Sequence, residues 1–398
     1  MYSHFPAALS APDNCRNSHA ICPQSCYVLW QISGAAGPFA GPDRACVCNR
    51  KSLIYIMHVP LTSRIKDPAG AWYYGLAVLY SVVAYVLGWV GLFQSGWLGN
   101  LGATLLLGHA MIIAAYLLHE CGHNLVFRSV RDNAALGRFL SWICGSTYGT
   151  YEDIRYKHFR HHVDVDDSVW FDYEKFLREH PVVLKITRIL EWSYIPAQEF
   201  IMHFIMVFTS FIIPERRDQR RRNVVVILIR GGIFASLLLF YPKAAFLYVL
   251  ARLFMITVLR FMDGLQHDYG YNVTLFNFDK PPRKGDFEWE QEHTFSVPHT
   301  LRWDWPNWFT LNFGFHNAHH DNMNTPWYRL PVAHRAMYGD DPEAVIPLAA
   351  QLRMFHRNRV SRIVGNHDGE LPWGREFLIA ARRAEASGGN AASFLTSF

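Results

Sequence analysis

Charged side chains are scarce in this chain. Asp, Glu, Lys and Arg make up 18% of it, against about 25% in an average globular domain. The net charge of +5 is mild and its basic residues are clustered, so no nucleic-acid partner is expected and position says more than the sum. Cysteine is nearly missing from the main body. Five of the seven (Cys15, Cys22, Cys26, Cys46, Cys48) precede residue 50, leaving Cys121 and Cys144. "CPQSC" and "CVC" have the look of metal or disulfide pairs, but residues 1–56 sustain no hydrophobic period. They also lack a basic start leading into an apolar stretch and a small-residue cleavage site, which argues against a signal peptide. With Met57 opening a basic, amphipathic lead-in, residues 1–56 are expected to be a disordered or non-functional extension. The body is expected over 57–380, and a flexible tail over 381–398.

Long uncharged runs are what the chain has instead. A spanning helix needs about 20 apolar residues to cross roughly 30 Å of hydrocarbon. Trp72 to Phe93 and Leu98 to Leu118 meet that length with a tight link between them. Val224 to Tyr241 and Ala244 to Met262 do so as well, with Arg230 and Arg252 inside them. Phe200 to Ile213 is short for a span and is expected to lie in the interface. "LGRFLSWICGSTYG" (Leu136 to Gly149) is also too short to cross. The fold class is therefore all-α integral membrane: four transmembrane helices as two hairpins, with a helical lobe on one side. That side carries almost every Lys and Arg, including "ERRDQRRR" (Glu215 to Arg222), and by the positive-inside rule it is cytoplasmic. The basic cluster reads as a topology signal, or as a contact for anionic lipid headgroups or an acidic substrate carrier. Arg230 and Arg252 are costly in hydrocarbon and are expected to snorkel or pair. His109, in mid-span, is expected to be a hydrogen-bonded structural residue.

The chain is rich in histidine, with 20 residues, and their placement carries the chemistry. "HECGH" (His119, His123) ends the second run. "HFRHH" (His158, His161, His162) and "HNAHH" (His316, His319, His320) follow, and "DGLQH" (Asp263 to His267) ends the fourth run. An even number of spans separates these groups, so all fall on one side. Residues at i, i+3 and i+4 are neighbours on a helix face, so each box can aim its imidazoles inward together. His-Glu-x-x-His alone suggests a zinc protease with Glu120 as base. Zinc is usually four-coordinate, however, and eight histidines in three boxes, nine with His267, suit two metals better. Imidazole serves iron, copper, nickel and zinc alike.

The three boxes on a two-hairpin scaffold resemble the integral-membrane fatty acid desaturase and hydroxylase family, over about residues 57 to 365. The resemblance implies that His119, His123, His158, His161, His162, His316, His319 and His320 hold two iron ions, as Fe2+, that activate O2. The acyl-CoA branch has a further histidine after the fourth span and, four residues earlier, an Asn that holds a metal-bound water. Here His267 is the matching ninth ligand and Asp263 stands in place of the Asn, as a carboxylate ligand or an outer acceptor. Glu120 becomes an outer-sphere or helix-surface residue. The third box opens with His316 rather than Gln and no "HPGG" haem signature occurs, unlike the fused front-end desaturases. "HECGHN" looks closer to the acyl-lipid type.

The reaction implied is oxidation of an unactivated C–H bond, which needs a redox metal because side-chain acid–base chemistry cannot do it. Desaturation of an acyl chain on a lipid, CoA or acyl-carrier protein is expected. Hydroxylation or ketolation of a carotenoid, sterol or alkane is the alternative, and an intramembrane zinc protease the remote one. No flavin, haem or Fe–S motif is present, so electrons are expected from ferredoxin, or from cytochrome b5 with its reductase. Membrane lipids are the surroundings, in a bacterial inner membrane or the endoplasmic reticulum.

Overall fold

Two long hydrophobic hairpins organise the molecule. The structure is a computed structural model that describes residues 64–269, 272–275, 281–364 and 373–386. Residues 1–56 and most of the expected tail lie outside the described residues. The helices are α1 (Ala71–Leu92), α2 (Trp97–Gly122), α3 (Val130–Cys144), α4 (Tyr151–Asp164), α5 (Tyr173–Glu179), α6 (Pro181–Trp192), α7 (Ala197–Ile212), α8 (Arg220–Phe240), α9 (Pro242–Asp263), α10 (Phe287–Glu292), α11 (His316–Asp321), α12 (Leu330–Tyr338), α13 (Leu348–Arg357) and α14 (Arg375–Arg382). Among the described residues, the departures from an all-helical reading are a parallel pair of three-residue strands, β1 (Asp167–Val169) with β2 (Asn272–Thr274), and three isolated bridges.

Among the described residues, four helical stretches are long and apolar enough to cross a membrane: Pro68–Leu92, Trp97–Gly122, Pro214–Phe240 and Pro242–Asp263. They are the four spans that the hydrophobic runs predict. Between helices in lipid, packing relies on close backbone approach at small residues. A Cβ added at Gly88 of α1 would stand 2.7 Å from the Leu107 Cβ of α2. One added at Gly108 would stand 3.0 Å from the Ala251 carbonyl of α9. Asn100 closes the first hairpin by donating to the carbonyls of Gly91 (2.8 Å) and Leu92 (3.3 Å). Lys243 ties the second tip to the first by donating to Gln94 O at 3.0 Å. His109 has the structural part expected of it. Its ring pairs with the Tyr80 hydroxyl at 2.5 Å and with the Phe309 carbonyl at 3.0 Å.

The arginines pair rather than snorkel. Ser129 caps α3, and α3 packs along α2 until Gly145, at φ +84°, ends it. Arg230 stands at the middle of α8 and Arg252 at the middle of α9. Arg230 donates to Trp142 O and to Thr147 Oγ1, both at 3.3 Å, and Arg252 donates to Cys144 O. The last carbonyls of a helix have no partner within it, and water cannot supply one in hydrocarbon. These arginines supply it, with charge of the sign a helix C-terminus favours.

Much of the basic cluster is used the same way. Arg220 donates to the carbonyls of Ser210 and Phe211, both at 2.9 Å, at the end of α7. Arg222 donates to Thr147 O at 2.7 Å, and Arg216 pairs with Asp153 at 2.8 Å. Arg217 and Arg221 remain exposed. A buried ionic knot, Arg260 with Glu191 at 3.0 Å and with Glu199 at 3.7 Å, joins α6 and α7 to the base of α9. Within the expected tail, Ala381, Ala384 and Ala386 are buried, and Asn358 donates to Ala386 O at 3.0 Å.

Candidate metal centre

The first box leaves α2 at its last turn, with His119 in the helix and His123 at its C-cap. The second box lies on α4. A reciprocal capping box between Thr150 and Asp153 fixes the start of that helix, so His158, His161 and His162 share one inward face. The third box is α11 itself. His267 follows α9 by a short turn and is pinned by an antiparallel bridge to Thr294. All nine histidines are buried.

Their nitrogens converge on two points. His119, His123, His158 and His319 form one group, and His161, His267, His316 and His320 another, each with ligand atoms within 4.8 Å of one another. His162 stands between the two: its Nε2 lies 3.2 Å from His158 Nε2 and 3.1 Å from His319 Nε2, and with Glu290 and His320 it forms a third group. In the second group His316 Nε2 lies 2.8 Å from His267 Nε2 and 3.1 Å from His320 Nε2. Nitrogens that each bind one metal at about 2.1 Å stand about 3 Å apart at right angles and about 3.4 Å apart in a tetrahedron. These four contacts lie near that range, and His158 Nε2 and His123 Nε2 stand closer still. His119 Nε2 is buried without a hydrogen-bond partner among the described residues.

Histidine ligands must be neutral. Burial, followed by the neighbouring imidazoles, holds His123, His158, His162, His267, His316, His319 and His320 well below the usual histidine range. Burial also brings His161 down to about 4. Second nitrogens are held from behind: His161 Nδ1 by the Asp166 carbonyl at 2.6 Å, and His320 Nδ1 by Glu290 Oε1 at 2.6 Å. His267 Nδ1 is 3.3 Å from Thr294 Oγ1. An Nδ1–H so engaged leaves Nε2 bare and aimed at the group.

The two acidic candidates sit apart from these groups. Glu120 Oε2 accepts from the Tyr74 hydroxyl at 2.6 Å and from Trp327 N at 3.2 Å, while Oε1 stands 3.9 Å from His119 Nδ1. It fastens α1 and the segment after the third box to the first. Asp263, buried at the end of α9, belongs to neither nitrogen group. Its charge acts on Lys157, a buried lysine brought down to about 8 by desolvation and supported by Glu199 and Asp263. Glu290 is the residue that sequence reasoning misses. It lies in "FEWEQE" at no fixed offset from any histidine box, and only its burial beside His320 marks it.

Comparison with known proteins agrees with the geometry. The family profile described as Fatty acid desaturase matches residues 95–351, a span that holds all nine histidines. A curated protein of Bacillus subtilis (strain 168), named Fatty acid desaturase, is 23% identical over 322 residues, which is 76% of this chain and 80% of that one.

Proposed function

The chain belongs to the fatty acid desaturase family, and from that premise we propose that it is a membrane-bound, non-haem di-iron oxidoreductase that desaturates a fatty acyl chain with O2. The observation that carries this reading is the gathering of nine buried histidines, eight of them in two groups of four and His162 beside both. Nine imidazoles are more than one four-coordinate zinc can use, whereas two metals with five or six ligands each could use them. The protease reading loses its base, because Glu120 is held by Tyr74 and Trp327.

His119, His123, His158, His162 and His319 would hold one iron, and His161, His267, His316 and His320 the other. Bound there, the irons supply the O2 and one-electron chemistry that side chains lack. The protein's own part is to favour the neutral form of the imidazoles whose pKa burial lowers, to fix ring orientation through Asp166 O, Glu290 and Thr294, and to exclude water by burial. The centre lies at the ends of α2 and α9, on the side that the basic residues mark as cytoplasmic. The acyl group arrives on a membrane lipid, CoA or acyl-carrier protein. Electrons come from a ferredoxin, or from cytochrome b5 and its reductase.

The test is the metal content of the purified protein together with the lipid profile of cells that express it. Two irons per chain and a new unsaturated acyl chain are expected. Two irons with a hydroxylated product, or with a modified carotenoid, sterol or alkane, would move the assignment to the alternative chemistry on the same site. One zinc and an unchanged lipid profile would overturn it.

A further inference from the structure

A line of rings leads away from the four-histidine group. The Tyr269 ring is 4.4 Å from His267 and 5.9 Å from His161, centroid to centroid. Trp289 lies 5.4 Å from Tyr269, and His293 lies 4.0 Å from Trp289. Trp373 stacks 6.3 Å from His293 and is 45% exposed. Tyr269 is buried and Trp289 half-buried, so the line runs from the metal centre to the surface. Phenol and indole rings are the aromatic side chains that give up one electron most readily. Phe313, which packs on His119, His316 and His319, has no such reactivity.

We propose that Tyr269, Trp289 and Trp373 form an escape route by which an oxidising equivalent that meets no acyl substrate is discharged from the four-histidine group. The proposal rests on the O2-dependent reading above, whose O2-derived oxidant is what the route disarms. The electron count closes. Trp289 gives one electron to the oxidised site through the Tyr269 ring and sheds its indole proton to water at its half-exposed edge. An external reductant, a thiol or ascorbate, delivers one electron at Trp373. That electron passes over the His293 ring to Trp289, which takes a proton back from water. Without this line, the next groups available for oxidation are the ligands themselves. The direction follows from the chemistry: these rings are hard to reduce but can be oxidised, so they serve outward discharge rather than storage of incoming electrons.

The experiment uses the full-length, iron-loaded protein in detergent, treated with hydrogen peroxide without acyl substrate. It is read by freeze-quench electron paramagnetic resonance and by peptide mass spectrometry. A tryptophan radical and oxygenated products at Trp289 and Trp373 are expected. Trp289→Phe keeps the ring's shape and removes its donor. It should lose the radical, accumulate several-fold more oxidised ligand histidine, and inactivate several-fold faster without substrate, while coupled turnover stays at the wild-type level. A wild-type protein that holds two irons and turns over but forms no aromatic radical would overturn the route and leave the function standing. So would a Trp289→Phe protein that inactivates at the wild-type rate. A protein that binds no iron would overturn both.

Discussion

Replacing Glu290 should release one metal and spare the other. The carboxylate accepts from His320 Nδ1 at 2.6 Å, with the imidazole side chain wholly buried and the carboxylate 8% exposed. A hydrogen bond to a charged group contributes about 1.5–3 kcal/mol, and a neutral one about 1 kcal/mol. In Glu290→Leu the Nδ1–H is left buried without an acceptor, and the His320 ring loses the contact that aims its Nε2. A loss of about 2–3 kcal/mol is expected. At about 1.4 kcal/mol per factor of ten, this weakens the four-histidine centre by roughly 30- to 140-fold, at the upper end of the range for lost outer-sphere partners. Glu290→Gln keeps an acceptor oxygen and loses only the charge, so about 1 kcal/mol, or roughly five-fold, is expected. The assay is iron retention against a graded chelator, with stoichiometry followed by elemental analysis. It is run above neutral pH, because burial raises the Glu290 carboxyl to about 7 and only its ionised form offers the charged acceptor. Glu290→Leu should fall from two irons to one at a chelator concentration that leaves the wild type intact, with Glu290→Gln between them. Equal affinity in all three proteins, or equal loss from both centres, would refute the assignment of Glu290 to His320.

Further predictions test the ligands and the membrane part separately. His161→Ala removes a nitrogen from the His161, His267, His316 and His320 group, and His319→Ala one from the His119, His123, His158 and His319 group, so each should abolish activity and lower the iron content. His109→Ala should keep most activity, because its partners are Tyr80 and the Phe309 carbonyl rather than the metal groups. Arg252→Met strips the Cys144 carbonyl of its donor at the end of α3. A buried acceptor left alone costs about 1–3 kcal/mol, so the thermal midpoint in detergent should drop while the iron bound per folded chain is unchanged. An unaltered midpoint would sink the capping role.

What the sequence discloses and what it hides divide along a physical line. The four spans are legible because an apolar run of spanning length has few other uses, and the eight histidines of the three boxes because i, i+3 and i+4 spacing places side chains on one face without knowledge of the tertiary fold. His267 stands in no such spacing and is expected as a ligand only from the family resemblance. Glu290 and Thr294 are not legible. They reach His320 and His267 across loops, and nothing local distinguishes a glutamate behind a ligand from one in water. Glu120 is half legible: its place in "HECGH" marks it, but its partners Tyr74 and Trp327 come from α1 and from beyond the third box. The arginines show the same limit from the other side. "ERRDQRRR" reads as a charge run, yet Arg220 and Arg222 are committed to carbonyls at the end of α7 and beyond α3, as Arg230 and Arg252 are to those of α3. A helix that stops part-way along a hydrophobic hairpin leaves acceptors that only the neighbouring helices can satisfy. Two mid-span charges that look like defects in α8 and α9 are therefore what lets α3 stop at Cys144, and the chain can then turn back through Thr147 to begin α4, which carries the second histidine box.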